Sequence, residues 1–189
     1  MITWIRIIVD LVFLLLVLGL TLYITTIVYT CGRWELPYVP TMRRAKKALS
    51  SHLKLQKGDT VLDMGSGLGS MLSHFAKDPV KVIGIERNLF FALISRLRLA
   101  LKPWRWGKTR VERGDFFQAD LSQATHIYCF HIPRLIGRLV HKFEEELKVG
   151  QTLISYKFPY PLSPAFEVES FEDAPGSSFY VYRKINGNA

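Results

Sequence analysis

The longest apolar run in the chain extends from Leu11 to Thr30. Its twenty residues carry no charge, and thirteen of them are Leu, Ile, Val or Phe. A helix of about 20 residues matches a bilayer hydrocarbon core roughly 30 Å thick. The pattern therefore predicts one transmembrane helix. A cleaved signal peptide is the alternative, but the run is longer than the apolar part of such a peptide, and no small-x-small cleavage site follows it.

After this run, short apolar segments alternate with segments of helical periodicity. The predicted strands cover residues 60–64, 80–86, 109–113, 125–130 and 151–157. The predicted helices cover residues 41–55, 68–77, 88–101 and 133–147, and a hairpin is predicted over 165–170 and 178–183. Strands that alternate with helices favour a parallel sheet covered on both faces. We therefore expect an α/β fold with a doubly wound, mostly parallel, seven-stranded sheet and an N-terminal transmembrane helix.

Two prolines divide the chain ahead of the predicted sheet. Pro37 and Pro40 bracket a stiff step that is typical of a linker. We expect a transmembrane anchor with its flank at residues 1–36, a linker and N-terminal helix at 37–58, and the α/β domain at 59–189. A chain of 189 residues has room for one ordinary domain and an appendage.

The chain is basic, with 25 Lys and Arg against 16 Asp and Glu and a formal net charge of +9. This charge indicates an anionic neighbour. Anionic lipid headgroups account for it better than nucleic acid, which is not an expected partner. Only Arg6 precedes the apolar run, whereas five cations follow it closely, namely Arg33, Arg43, Arg44, Lys46 and Lys47. The positive-inside rule then places the α/β domain in the cytoplasm at a bacterial inner membrane, or on the matrix side in an organelle.

A second basic stretch combines cations with tryptophans. Its members are Arg96, Arg98, Lys102, Trp104, Arg105, Trp106, Lys108 and Arg110. One interpretation is a solvated helix face followed by a loop. The other is a surface that lies against anionic headgroups, where each charge adds about 1 kcal/mol.

The chain has two cysteines, Cys31 and Cys129, which are far apart in the sequence. They have no metal-ligand spacing, so we expect neither a metal site nor a disulfide framework. The α/β domain is accordingly expected to face a reducing compartment.

The first candidate for chemistry is the segment from Asp63 to Gly69. A predicted strand leads directly into Asp63-Met64-Gly65-Ser66-Gly67-Leu68-Gly69 and then into a predicted helix. Glycines at alternate positions let the backbone turn tightly and approach a ligand. An acidic residue at the end of the strand suits a cationic ligand better than a pyrophosphate. S-adenosylmethionine, with its sulfonium and amino groups, is such a ligand, and Asp63 is placed to attract it.

Two further carboxylates follow the next two predicted strands. Glu86 ends the second strand 23 residues after Asp63, where its two oxygens can accept both ribose hydroxyls. Asp115 and Phe116 follow the third strand, where a carboxylate and a ring can hold and cover the adenine. Each has a simpler interpretation: Glu86 as a surface ion pair with Arg87, and Asp115 as a turn residue. The placement of each at the end of a successive strand favours the joint interpretation.

The glycine motif, Glu86 and Asp115 together resemble the class I methyltransferase superfamily. Further motifs are similar to those of the membrane-anchored protein-lysine methyltransferases, a group that includes the mitochondrial enzymes for the c-type subunit of ATP synthase and for the adenine nucleotide translocase. They are Pro37-Tyr38-Val39-Pro40, Glu86-Arg87-Asn88, Phe130-His131-Ile132-Pro133 and Phe158-Pro159-Tyr160-Pro161. The likeness covers roughly residues 37–161. The chain departs from the group at Leu68, where an acidic residue is usual, and at Leu89, where proline often follows asparagine.

The resemblance implies a Rossmann-like methyltransferase fold and S-adenosylmethionine as cofactor, bound by Asp63, Gly65, Ser66, Gly67, Gly69, Glu86, Asp115 and Phe116. It also implies a membrane-embedded or membrane-adjacent protein as substrate. We expect a desolvated pocket for its lysine, lined by Tyr38, Phe130, His131, Phe158 and Tyr160. A pocket of this kind favours the uncharged amine. His131 is either the proton acceptor or a structural hydrogen-bonding group.

Two alternatives fit the same sequence. One is a methyltransferase for a lipid or a quinone, which a membrane anchor serves equally well. The other is a non-catalytic membrane scaffold that binds S-adenosylmethionine. Nucleic-acid methylation fits poorly, because Phe130-His131-Ile132-Pro133 stands where amino-adenine enzymes carry Asn/Asp-Pro-Pro-aromatic. Cytosine C5 chemistry needs a Pro-Cys nucleophile, whereas Cys129 follows Tyr128.

Overall fold

The computed structural model describes residues 2–34, 39–101 and 108–186. The chain divides into two compact units, Met1–Val39 and Pro40–Ala189.

The first unit is a single helix, α1, from Ile2 to Trp34. At about 1.5 Å per residue, its 33 residues extend for roughly 50 Å. Its most apolar stretch, Thr3–Thr26, has a mean hydropathy of 2.8, and none of the residues in its apolar window is buried. By length and composition this stretch is a candidate membrane span, and it overlaps most of the predicted span from Leu11 to Thr30.

The described residues of the second unit form one seven-stranded sheet and four α-helices. The strands are β1 (Thr60–Met64), β2 (Lys81–Glu86), β3 (Thr109–Arg113), β4 (His126–Cys129), β5 (Thr152–Tyr156), β6 (Phe166–Ala174) and β7 (Ser177–Lys184). The helices are α2 (Arg43–His52), α3 (Leu72–Phe75), α4 (Leu89–Ala100) and α5 (Pro133–Glu146). The strand order is β3-β2-β1-β4-β5-β7-β6. The carboxyl ends of β1, β2, β3 and β4 therefore share one edge of the sheet.

The sheet is mixed rather than mostly parallel. Strands β1 to β5 pair in parallel, whereas β7 runs antiparallel to both β5 and β6. The terminal hairpin was predicted, and it is this hairpin that introduces the antiparallel pairs. A connection as short as the one between β6 and β7 can only join antiparallel strands.

The prediction of a long helix over residues 68–77 was wrong. Only Leu72–Phe75 is helical, and the residues before it form turns. Gly69 has φ +73, which is outside the right-handed helical region, so the helix cannot extend back through it.

Side chains of the central strands alternate between two apolar clusters, one on each face of the sheet. The α5 face holds Leu62, Met64 and Ile127 against Leu139 and Phe143 of α5. The opposite face is covered by residues of α2, α3 and α4, among them Ala45, Leu49, Leu72, Phe75, Ala92 and Leu99. The side covered by α5 is called the α5 face, and the side covered by α2, α3 and α4 is called the α2–α4 face.

Candidate active site

The segment after β1 forms a tight loop in which three glycines have positive φ. The φ angles of Gly65, Gly67 and Gly69 are 88°, 53° and 73°, a region that L side chains rarely adopt. The N–H groups of Gly65 and Ser66 both donate to the Ile85 carbonyl at 3.0 Å, which fixes the loop to β2. These two bonds hold the loop against the end of β2.

Glu86 is buried beside this loop. Its Oε2 accepts a hydrogen bond from Gly67 N at 2.8 Å, and its Oε1 accepts one from Asn88 N at 2.7 Å. Burial raises the pKa of Glu86, and these backbone donors oppose that rise. A carboxylate oxygen can accept more than one bond, so both keep capacity for ribose hydroxyls. Glu86 is 9% exposed, so the interpretation as a surface ion pair was wrong.

Asp63 lies within β1, one residue before its end, between Gly84 of β2 and Tyr128 of β4. Burial and, to a lesser extent, the charge of Glu86 raise the pKa of Asp63 to about 8. The Lys46 ammonium acts in the opposite direction. Two buried carboxyl groups near one sheet edge create a site that a cationic ligand would stabilise.

Asp115 and Phe116 lie where β3 ends. Asp115 Oδ1 accepts from Phe117 N at 3.0 Å and so caps the 3-10 helix Phe116–Gln118. Its Oδ2 lies 3.3 Å from Arg87 Nη1. Asp115 thus has the turn role that the simpler interpretation gave it. The Phe116 ring is buried and stacks on His131, with ring centroids 4.6 Å apart.

His131 is buried under the loop. Its Nδ1 lies 3.2 Å from the Tyr160 hydroxyl. Its Nε2 is also buried and has no hydrogen bond of normal geometry among the described residues. A Cβ placed on Gly65 would lie 3.6 Å from this nitrogen, so Nε2 faces the glycine loop. Burial lowers the pKa of His131 to about 4, against a smaller opposing effect of the Met64 backbone, so the ring is neutral near pH 7.

The predicted lysine pocket is divided between the two faces of the sheet. His131, Phe158 and Tyr160 lie on the α5 face. Phe130 lies on the α2–α4 face, where its ring meets Tyr156 edge-on with centroids 4.9 Å apart. Consecutive side chains at a strand end point to opposite faces, so Phe130 and His131 cannot share one side. Tyr38, the fifth predicted member, lies outside the described residues.

A lysine of the chain itself occupies the side of the sheet that carries Phe130. Lys157 Nζ lies 5.9 Å from the ring centroids of both Phe130 and Tyr156, within the range of a cation–π contact. Lys157 follows β5 directly and has φ +70. These two rings thus present faces that an alkylammonium group can occupy.

Sequence reasoning missed two contacts that join α2 to this edge of the sheet. Lys46 Nζ donates to the Ser70 carbonyl at 2.9 Å, and its charge lowers the pKa of Asp63. Thr41 Oγ1 lies 2.8 Å from the buried hydroxyl of Tyr128. The sequence presents Lys46 only as one of the cations after the apolar run. Nothing in the local pattern singles it out, because its partners are distant in sequence.

Metal-ligating side chains do not assemble anywhere in residues 2–34, 39–101 and 108–186, since no three of them group together there. The candidate binding groups among the described residues therefore lie at one edge of the sheet. The loop backbone, Glu86 and Asp63 form one part of it, and Phe116 stacked on His131 forms the other.

Sequence comparison relates this chain to known methyltransferases. A family model described as the ANTKMT methyltransferase domain matches residues 63–165. A protein-lysine N-methyltransferase of Saccharolobus islandicus is 33% identical over 130 residues, which cover 66% of this chain and 78% of that protein. The lysine N-methyltransferase of Xenopus laevis that is named for the c-type subunit of ATP synthase is 30% identical over 129 residues, covering 67% and 55% of the two chains.

The adenine nucleotide translocase lysine N-methyltransferase of Mus musculus is 28% identical over 133 residues, covering 68% of this chain and 56% of that one. The chain thus spans about half the length of these animal relatives and more of the archaeal one.

Structure comparison finds the same fold. An RNA methyltransferase from Salinibacter ruber, solved with S-adenosyl-L-homocysteine, superposes with a TM-score of 0.67 at 21% identity, covering 80% of this chain and 97% of that one. The sheet is therefore the Rossmann-like sheet of methyltransferases. The matched region runs from Asp63 through the loop, Glu86, Asp115 and His131 to the end of the segment after β5. The chain belongs to the ANTKMT methyltransferase domain family, and it is an S-adenosylmethionine-dependent methyltransferase.

Proposed function

We propose that this protein transfers a methyl group from S-adenosylmethionine to a lysine side chain of a membrane-associated protein. The single observation that carries the lysine assignment is the Nε2 atom of His131, which is buried, faces the glycine loop and can accept a proton from an amine. Lys157, whose ammonium lies over Phe130 and Tyr156, is on the other face of the sheet and indicates only that these two rings accommodate an alkylammonium group. The relatives support the same assignment, because they are named as lysine methyltransferases and two of the named targets are membrane proteins.

Several residues at the sheet edge fit the donor. Glu86 offers carboxylate oxygens for ribose hydroxyls, the loop from Gly65 to Gly69 offers close backbone approach, and Phe116 offers a ring for adenine. Asp63 is buried with a raised pKa, so a nearby positive charge on a ligand favours its ionised form. When bound, S-adenosylmethionine supplies an activated methyl group on a sulfonium.

The rest of the chemistry depends on the protein. A lysine attacks only as the neutral amine, and low-polarity surroundings lower its pKa. We assign His131 the role of proton acceptor, since its ring is neutral and its Nε2 faces the loop. This role requires that Nδ1 carry the hydrogen and donate it to the Tyr160 oxygen. Phe158 and Tyr160 exclude water on that face.

The membrane part of the proposal follows from α1 and the charges after it. We place residues 1–36 in a single-pass anchor with its flank, 37–58 in a linker and helix, and 59–189 in the catalytic domain. The cations of α2 support the cytoplasmic or matrix side and contact with anionic headgroups, since Arg43, Arg44 and Lys47 are all exposed.

One experiment tests donor and acceptor together. The full chain is purified in detergent, its affinity for S-adenosylmethionine is measured by calorimetry, and it is then incubated with membranes and tritiated donor. Label on lysine in the protein fraction supports the proposal. Label in the lipid extract instead contradicts the lysine assignment, and binding without transfer contradicts catalysis. The Glu86→Gln variant is the control for donor-dependent labelling.

A further inference from the structure

Helix α4 carries a row of leucines that are exposed in the described part of the chain. Leu89, Leu93 and Leu97 are 47%, 50% and 58% exposed, and Leu101, which caps the helix, is 72% exposed. Residues four apart lie on one side of a helix, so these four form a continuous leucine stripe about 18 Å long. The opposite side of α4 is buried through Phe91, Ala92, Ser95 and Leu99. Single exposed leucines are ordinary, but an aligned row of them indicates a contact surface.

Cations border the leucine stripe. At 3.6 residues per turn, Arg96 lies along one border and Arg98 along the other. Helix α4 contains no acidic residue. The Arg96 guanidinium donates to the Val111 carbonyl from Nε at 3.1 Å and from Nη2 at 2.8 Å. The aliphatic part of Arg98 can lie along the apolar surface while its guanidinium reaches a phosphate. A stripe of leucine between arginines is the composition of a helix that lies in a bilayer interface.

Other features of the chain agree with a lipid surface as the occupant. Helices α2 and α4 cover the same face of the sheet, so the exposed cations of α2 and the leucine stripe belong to one layer of the domain. The same chain carries a candidate membrane span, and only eight residues, 35–42, separate α1 from α2.

We propose that the leucine stripe of α4 is a membrane-contact face, which inserts into the interface of a bilayer with anionic headgroups. The stripe then holds the catalytic domain against the bilayer in addition to the anchor. This inference goes beyond the proposed lysine chemistry, and its test does not depend on activity. A second copy of this chain or another protein would cover the stripe without lipid, and the experiment separates these cases.

The test measures immersion of the stripe in the full chain. The protein is reconstituted in nanodiscs of phosphatidylcholine and phosphatidylglycerol, and a nitroxide is attached at Leu93→Cys or Leu97→Cys in a Cys31→Ser background. Cys129 does not react, because it is fully buried and burial raises the pKa of its thiol. The matched control is Glu145→Cys on α5, whose side chain is 67% exposed on the other sheet face.

Power saturation with oxygen and with a nickel chelate gives the depth of each label. We expect the labels at 93 and 97 to be shielded from nickel and to lie roughly 5–10 Å below the headgroup surface, with the label at 145 in water. Equal nickel accessibility at all three positions would overturn the proposal. Spin–spin broadening that disappears on dilution with unlabelled chain would assign the stripe to a second copy. Shielding from both reagents without broadening would place the labels inside the fold of this chain, and either result would also overturn the proposal.

Discussion

The Nδ1 atom of His131 lies 3.2 Å from the Tyr160 hydroxyl, while the Nε2 atom of the same ring is buried and faces the glycine loop. The hydroxyl comes from the segment after β5 and the imidazole from the segment after β4. One nitrogen is thus held by the protein, and the other is directed at the place where ligand groups are expected. A histidine in this arrangement has its orientation set by a partner that is distant in sequence, and the Tyr160 hydroxyl can pair with either tautomer of the ring.

Replacement of His131 by Gln tests its role as proton acceptor. We expect kcat to fall by about 10²- to 10⁴-fold, the usual range for a general base, with little change in the affinity for S-adenosylmethionine. Raising the pH should restore part of the rate, because more of the lysine is then neutral without help. Tyr160→Phe should lower kcat less. If His131→Gln changes only the urea midpoint and leaves kcat and its pH profile intact, the histidine is a structural group.

The low pKa of His131 also predicts acid sensitivity of the fold. Its pKa falls from 6.5 to about 4 on folding, so between these values the unfolded chain binds more protons than the folded one. Its contribution to stability is therefore complete above pH 6.5 and is lost as the pH falls toward 4, by up to about 3 kcal/mol. Urea unfolding at pH 7 and pH 4.5 measures the difference. The difference in the free energy of unfolding between the two pH values should be smaller in His131→Gln.

Asp63→Asn should separate stability from donor binding. The pKa of Asp63 rises from 3.8 to about 8 on folding, so the folded chain binds more protons over this window and loses stability as the pH rises through it. The amide removes that loss, and we expect the variant to be more stable at pH 7 by about 2–4 kcal/mol. Its affinity for S-adenosylmethionine should fall. Equal stability of both proteins at pH 7 and pH 8 would contradict a buried, protonated Asp63.

Glu86→Gln should weaken donor binding. The substitution keeps the size of the side chain but replaces one acceptor oxygen by an amide donor, which opposes the Gly67 or the Asn88 N–H. Loss of one charge-assisted hydrogen bond corresponds to about 10- to 100-fold in Kd. Calorimetry checks this value. Glu112→Gln, on the neighbouring strand and more exposed, is the matched control and should bind as the wild type does.

Lys157→Gly should stabilise the protein. Lys157 is the only residue other than glycine with positive φ in the described part of the chain, and its φ is +70. A side chain in this region costs about 1–2 kcal/mol, which glycine avoids at a smaller entropic cost. We expect a net gain of about 0.5–1 kcal/mol in urea unfolding. Lys157→Ala keeps the strained backbone and should show no such gain.

Local signals in the sequence were sufficient for most of the sheet. The ends of β1 were predicted to the residue, because an apolar run meets glycine there, and β3 was predicted at its observed place before Gly114. The glycine turn after β1 and the position of Glu86 at the end of β2 were also predicted, since each depends on residues next to a strand end. In each case the residues that determine the structural element are next to it in the sequence.

The same reasoning could not predict contacts between residues that are distant in the sequence. The pairing of Lys46 with Ser70 and of Thr41 with Tyr128 depends on how α2 packs, and no periodicity encodes it. The division of Phe130 from His131 follows from strand alternation and could have been anticipated. It was missed because the two residues were treated as one motif.

That division has a consequence for how the chain can change. The segment that follows β4 directs Phe130 to one side of the sheet and His131 to the other, so the alternation of side chains at this edge determines which ring meets which partner. Insertion of one residue in β4 would shift Phe130 into the position of His131, toward Tyr160, and deletion of one residue would shift His131 into the position of Phe130, toward Tyr156. A single substitution along this strand therefore alters one face of the sheet, whereas a change in the length of the strand alters the packing on both faces.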